Sequence, residues 1–257
     1  MLRNLLQLPE AAEIESLDAP RATELHRKVI EKKPFLQSVY RDFYREMIEA
    51  AGAPAEGVHV ELGSGGGFMK TLLPGLVTSD ILPLRSTDLC FSVENVPLCD
   101  DSVDTFFMMN AAHHFPDAMC ALREMDRCLK PGGRIVMIEP ANTAWGRFVY
   151  RNFHHEAFEP GGGWTFDSSG PLSGGNGALP WIVFVRDRAR LERELPRLRV
   201  EGIRYHTPVR WILSGGFTLR QLVPSPAHGL VRLLERAATP LARWTGMFMT
   251  IRVRKAA

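Results

Sequence analysis

The chain has little cysteine, almost no net charge and no long apolar run. Its four cysteines, Cys90, Cys99, Cys120 and Cys128, form no Cys-x-x-Cys pair and stand at no zinc-ligand spacing from a histidine. That excludes a disulfide scaffold and leaves reduced, mostly buried thiols as the expectation. No stretch approaches the roughly 18 apolar residues that a bilayer span needs. In the opening MLRNLLQLPEAAEIESLDAP, acidic residues and prolines arrive too early for the apolar centre of a signal peptide. A cytoplasmic protein is expected. There are no internal repeats. The formal net charge of +2 conceals an asymmetry, because residues 186–257 hold 15 Lys and Arg against 5 Asp and Glu, whereas residues 1–185 hold 16 against 24. A basic C-terminal part suits an anionic substrate, a phosphate-bearing surface or a solvated face. Its basic residues are interspersed with acids and lack a reading motif, which argues against a nucleic-acid acceptor.

At 257 residues and 45% hydrophobic content the chain can build one α/β domain with insertions. From Pro20 to Ala51 apolar residues recur at helical spacing, and Pro34 splits the pattern into two helices. Val58 to Leu62 then reads as a strand. A helix is expected from Phe68 to Leu73, a second strand from Leu76 to Asp80, a third near Thr87 to Phe91 and a fourth from Ser102 to Asn110. A helix over Ala118 to Leu129 is expected to end on Lys130-Pro131-Gly132-Gly133 as a glycine C-cap, before a strand from Arg134 to Ile138. Strands alternating with helices imply a parallel sheet with right-handed crossovers. Residues 141–190 break this pattern with aromatic and Gly-rich sequence, the expected signature of a lid or substrate loop. Further strands are expected at Leu198 to His206 and Met247 to Val253, with a helical stretch from Leu230 to Trp244 between them.

The strongest chemical signal is Glu61-Leu62-Gly63-Ser64-Gly65-Gly66-Gly67. A strand ending in an acid and running into glycines lets backbone N–H groups approach a nucleotide-like ligand. Asp80, at the end of the next strand, is placed to bind ribose hydroxyls. The dinucleotide pattern G-x-G-x-x-G would need glycine at position 68, where the chain has Phe68. The spacing therefore disfavours a nucleotide-dependent oxidoreductase, the main alternative enzyme class.

VHVELGSGGG, SDI, NVPLCDDSVDTFFMMNAAHHFPD and CLKPGGRIVMIEP follow one another over about residues 55–140, and this series resembles the motifs of class I S-adenosylmethionine-dependent methyltransferases, of the methyltransferase type 11 kind. The resemblance implies a Rossmann-like, doubly wound α/β fold. Its seven-stranded sheet would be mostly parallel with an antiparallel last strand, and N-terminal helices and a lid insertion would be added to it. The division implied is a single domain, 1–257, with a helical cover (1–52), a cofactor core (53–140), a lid (141–190) and C-terminal strands and helix (191–257). The cofactor would be S-adenosylmethionine, leaving S-adenosylhomocysteine. Glu61 would order the glycine loop, Gly63, Ser64, Gly65 and Gly67 would admit the methionine moiety, and Asp80 with Ile81 would meet the ribose. Asn110 would hold the methionine end. The family's usual acid near the adenine amino group is replaced by Ser92, beside Val93, with Asp88 as a substitute if the strand is shifted. A cofactor-binding module without catalysis would carry the same motifs.

Methyl transfer from a sulfonium is an in-line displacement in which alignment supplies much of the rate. A base is needed only for an acceptor that arrives protonated. His114, next to His113, and the pair His154 and His155, next to Glu156, are the candidates for an O-directed reaction on a small-molecule or lipid-linked acceptor. No HExxH or comparable spacing is present, so no metal site is expected. The segment 229–244 pairs an apolar stripe with Arg232, Arg236 and Arg243. Such a helix either packs its stripe on the sheet or makes a weak peripheral membrane contact.

Overall fold

The computed structural model describes residues 7–9, 14–52, 56–154 and 156–257. Within these the apolar runs become β1 (His59–Leu62), β2 (Val77–Asp80), β3 (Leu89–Cys90), β4 (Val103–Met109), β5 (Leu129–Pro140), β6 (Leu198–His206) and β7 (Phe248–Lys255). They join in one sheet in the order β3-β2-β1-β4-β5-β7-β6. β7 runs antiparallel to its neighbours β5 and β6, and the other pairings are parallel. β1 and most of β4 are buried, as central strands covered on both faces must be. That is why Val103 to Met109 is a nearly continuous apolar run rather than an alternation.

Two N-terminal helices, α1 (Pro20–Lys32) and α2 (Pro34–Ala51), each open on proline, where a missing N–H costs nothing. Lys33 between them is extended, as a residue preceding proline prefers. α2 buries Phe35, Leu36, Val39, Phe43 and Met47 and stops at Gly52 in the left-handed conformation, φ 54°. α3 (Ala118–Cys128) starts at Asp117, whose carboxylate accepts from the amides of Met119 and Cys120 at 2.9 and 3.0 Å.

From β1 the chain winds one way to β2 and β3 and the other way to β4 and β5. The crevice beyond the carboxyl ends of β1 and β4 is therefore the switch point, where open parallel sheets hold ligands. Gly63 after β1 and Asn110 after β4 meet there. A Cβ on Gly63 would lie 2.6 Å from that of Ala111.

Several local expectations are corrected. Phe68–Thr71 is a single 3-10 turn, since glycines on one side and Pro74 on the other leave no room for a longer helix. The amides facing the crevice thus belong to the glycine loop, without a helix dipole behind them. α3 ends on Leu129 in extended conformation, not on a glycine cap. Gly132 (φ 80°) instead lies inside β5, where the pairing with β4 shifts register. Residues 141–190 are less irregular than their composition suggests: they contain α4 (Ala144–Phe153), the short α5 (Leu179–Trp181) with a π-turn at Ile182–Arg186, and the start of α6 (Arg188–Glu194). α4 is fixed by tertiary bonds, from Tyr150 Oη to the carbonyl of Met247 and from Trp145 Nε1 to that of Pro208, at 2.7 and 2.8 Å. Of the cysteines only Cys128 is buried, while Cys90 and Cys99 are exposed.

The C-terminal helical stretch divides into α8 (His228–Ala237) and α9 (Ala242–Thr245), preceded by the short α7 (Arg210–Ser214). α8 packs its charged side inward. Glu235 accepts from the amides of Val209 and Arg210 and pairs with the Arg210 guanidinium, which also pairs with Asp42. Its leucines point outward instead of onto the sheet, Leu230, Leu233 and Leu234 being 60–62% exposed. No helix among the described residues is long and apolar enough to cross a membrane.

Candidate cofactor and active site

A cavity of about 450 Å³ opens over the ends of β1, β2 and β4, within the size range of small-molecule sites. Its floor is the glycine loop. Ser64 fixes that loop to β2, its amide donating to the carbonyl of Ser79 at 2.9 Å and its hydroxyl accepting from the Ser79 amide at 3.1 Å. Gly63 and Gly65 line the cavity with positive φ, 69° and 50°, which a side chain would resist. Gly67 also has positive φ but faces Ser86 rather than the cavity.

Three polar side chains meet in this floor. Asp80 accepts from the amides of Gly65 and Leu82, each at 3.0 Å, one on each carboxylate oxygen. Burial raises its pKa, and the amides that bond it oppose the shift. Glu61 is 1% exposed, and burial, reinforced by the Asp80 charge, pushes its carboxyl up to about 8. Glu61 Oε2 and Asn110 Oδ1 are buried acceptors with no hydrogen-bond partner among the described residues. Asn110 also holds φ 51°, a strain of the kind found at ligand sites. Two orphaned acceptors in one crevice fit a ligand that brings N–H donors, because a buried polar group without a partner is costly. Ile81, Ser92 and Val93 line the neighbouring wall. Asp88 does not, being bonded to Lys70 at 2.6 Å and to the amide and hydroxyl of Thr78, each at 2.8 Å.

The rest of the lining is largely aromatic and apolar, with Ile30, Tyr40, Tyr44, Phe115, Leu172 and Phe217, and Tyr44 lies near enough to Glu61 to feel its charge. Leu172 belongs to a loop tied to the segment before α1, because Asp18 accepts from the amides of Leu172 and Ser173 at 2.7 and 2.8 Å.

His114 reaches the cavity and His154 does not. His113, just before it, is buried between two carboxylates, with Nδ1 at 2.7 Å from Glu139 Oε2 and Nε2 at 3.1 Å from Glu156 Oε2. Burial alone would lower the pKa of its imidazole, but the two carboxylates outweigh it and hold the group at about 10. Burial, together with the His113 charge, lowers His114 to about 4. His154 packs edge-on against Tyr150 and lies 3.8 Å from Glu156. His155 lies outside the described residues.

Residues 26–137 match a family described as the methyltransferase domain. Over those residues the chain is similar to methyltransferase domains. An uncharacterized methyltransferase of Mycobacteroides abscessus is 30% identical over 146 residues, 55% of each chain. A ubiquinone/menaquinone biosynthesis C-methyltransferase of Rubrivivax gelatinosus is 37% identical over 78 residues, 30% of this chain and 31% of that one. The matches to curated relatives thus span between 22% and 55% of those proteins' own length. The chain shares its fold with the geranyl diphosphate C-methyltransferase of Streptomyces coelicolor, at TM-score 0.52 and 15% identity over 91% of this chain and 81% of that one. It shares it also with a Thermotoga maritima enzyme described as a possible histamine N-methyltransferase, at TM-score 0.50 and 19% identity over 89% and 99%.

Sequence reasoning missed the contribution of the N-terminal helices to the cavity, where Thr23, His26, Tyr40 and Tyr44 stand. The aromatic stripe of α2 was the available signal, but helical periodicity marks buried positions without separating core from cavity wall. Glu139 was also missed. It ends a recognised motif, yet its hydrogen bonds come from residues 26 to 28 positions earlier.

Proposed function

We propose that the chain transfers the methyl group of S-adenosylmethionine to an oxygen of a small-molecule or lipid-linked acceptor. The observation that carries this reading is the pair of orphaned acceptors, Glu61 Oε2 and Asn110 Oδ1, beside Asp80 in the crevice. When bound, S-adenosylmethionine would supply an electrophilic sulfonium methyl, with S-adenosylhomocysteine as the leaving group. Glu61 and Asn110 then accept from the methionine ammonium, Asp80 accepts from the ribose hydroxyls on lone pairs its two amide donors leave open, and Ser92 with the Val93 backbone meets the adenine. Gly63 and Gly65 keep the floor clear. The aromatic and apolar part of the lining takes the acceptor, favouring an apolar or aromatic body, and His114 is the side chain that meets its reacting oxygen. Residues 141–190 serve as a lid over a core of 53–140, with 1–52 as a helical cover and 191–257 completing the sheet. Two relatives are C-methyltransferases of isoprenoid or quinone type by name, which makes the acceptor atom a measurement. Asp80→Asn, titrated with S-adenosylhomocysteine, should lose about 1.5–3 kcal/mol of binding. Unchanged affinity would remove the role given to Asp80, and no affinity in the unaltered chain would remove the reading.

A lipid-linked acceptor is favoured by the outward leucines of α8. Leu241 and Trp244, 53% and 46% exposed, extend that apolar character through the next turns, and Arg236 and Arg243 supply positive charge for an anionic surface. Arg232 is paired with Asp42 at 3.0 Å and is best left intact. Changing Leu230, Leu233 and Leu234 to serine should abolish sedimentation with phosphatidylglycerol vesicles at low salt. Equal sedimentation of variant and parent would rule the contact out.

A further inference from the structure

His113 and His114 stand side by side on the short turn after β4, and each has its Nδ1 occupied. His113 Nδ1 is bonded to Glu139 Oε2 at 2.7 Å, and His114 Nδ1 to the carbonyl of Gly174 at 3.0 Å. With a hydrogen on each Nδ1, both Nε2 atoms can serve as ligands once an ion displaces the proton that His113 Nε2 donates to Glu156. Both point at one carboxylate, Glu156, at 3.1 and 3.7 Å. The three ligand atoms lie within 4.8 Å of one another. Ligands held tetrahedrally at about 2.0–2.1 Å from an ion are roughly 3.3 Å apart, so small side-chain adjustments close the set.

We propose that His113, His114 and Glu156 hold a divalent transition-metal ion. The direct contacts between the histidines and Glu156 are what the ion would replace. The supporting shell is already in place, because Glu139 is fully buried, accepts from the amides of Ala111 and Ala112 at 2.9 and 2.8 Å, and still reaches His113. A carboxylate behind a ligating histidine fixes its tautomer and raises its basicity. Two imidazoles and one carboxylate select nitrogen-preferring ions such as zinc or ferrous iron over magnesium or calcium, and three protein ligands leave coordination positions open. His114 lines the cavity, so the ion would border it. Resting on the methyl-transfer reading, an ion there would take the acceptor oxygen as a further ligand, but binding of the ion does not depend on that reading.

The full chain, stripped with a chelator and dialysed against zinc or cobalt(II), should take up one equivalent, gain visible cobalt bands and melt at a higher temperature with zinc present. Glu156→Gln and His114→Gln should each weaken binding at least tenfold, and Glu139→Gln about 10–100-fold. Asp80→Asn should lose S-adenosylhomocysteine and keep the metal, which separates failure of this site from failure of the cofactor reading. Even if a variant does not fold, zinc must shift the ring signals of two histidines in the unaltered chain. No saturable equivalent, no shifted histidine signal, or the same stoichiometry in folded Glu156→Gln and His114→Gln would overturn the proposal.

Discussion

Replacing Glu61 by glutamine should stabilise the ligand-free protein above neutral pH while weakening its hold on the cofactor. The carboxyl is 1% exposed at the end of β1, and burial, with Asp80 nearby, raises it from an ordinary 4.5 to about 8. The folded state therefore holds a proton on Glu61 over a range in which the unfolded chain has released it. That contribution to stability is fully present below pH 4.5 and is lost as pH rises through about 8. At about 1.4 kcal/mol per pH unit, the loss is about 3 kcal/mol by pH 7 and about 5 kcal/mol once pH exceeds 8. Glutamine fills the same space and cannot ionise. Urea unfolding followed by fluorescence of the five tryptophans, at intervals from pH 5 to 9, should show variant and parent nearly equal at pH 5 and diverging by several kcal/mol at pH 9. A difference that stays constant over this range would refute the reasoning, because it would mean that the buried carboxyl titrates normally.

The same substitution tests the ligand side. An ammonium donated to Glu61 favours the ionised carboxylate, so binding below pH 8 must expel the proton. Affinity of the parent for S-adenosylhomocysteine should rise with pH toward 8, and in Glu61→Gln this rise should vanish along with about 1.5–3 kcal/mol of affinity. A parallel pH dependence in both proteins would assign the proton to another group.

Gly63→Ala should cost about 2–4 kcal/mol, from the left-handed φ of 69° and a Cβ only 2.6 Å from that of Ala111, whereas Gly75→Ala, with nothing within 4 Å, should shift the melting temperature little. Equal melting temperatures for the two variants would mean that the close approach of β1 and β4 is not rigid. Glu235→Gln should cost about 3–5 kcal/mol, because it strips a partner from the buried Arg210. Denaturant titration checks this, and a loss below 1 kcal/mol would mean that Asp42 alone compensates Arg210.

The parts of this fold that were legible in the sequence are those whose causes are local. Pro20 and Pro34 open helices, a run such as Val103 to Met109 can only be a strand covered on both sides, and glycines after Glu61 announce a close approach. Strand order follows from such units because parallel crossovers have one hand. The acidic end of β1 and the acid at the end of β2 are separated by 18 intervening residues, yet Asp80 reaches back to the amide of Gly65, since adjacent parallel strands bring their carboxyl ends together. Neighbours in the sheet were thus readable, and with them which strand ends meet in the cavity.

The acceptor side depends on contacts that no local rule encodes. His154, His155 and Glu156 form one sequence cluster, and His113 and His114 another, 40 residues apart. Glu156 stays within 3.8 Å of His154 but also reaches across to the other pair, because α4 is clamped by Tyr150 and Trp145 to backbone carbonyls near residues 247 and 208. The same holds for α8, where amphipathic spacing was visible but its direction was not. A stripe of leucines facing the sheet and one facing solvent have the same periodicity, and what decides between them is whether the opposite face finds burial. Here Asp42 on α2 and the backbone amides of Val209 and Arg210 receive the charged face. A buried ion pair stripped of one partner is costlier than exposed leucine. The orientation of α8 is therefore set by Arg210 and Glu235, not by its apolar residues. Replacing Arg210, Glu235, Asp42 and Arg232 together with apolar residues of similar size should let the leucines turn inward, which hydrogen exchange along α8 and quenching of a probe at position 233 would register. Continued exposure of position 233 in that variant would place the cause in the short turns that bracket the helix.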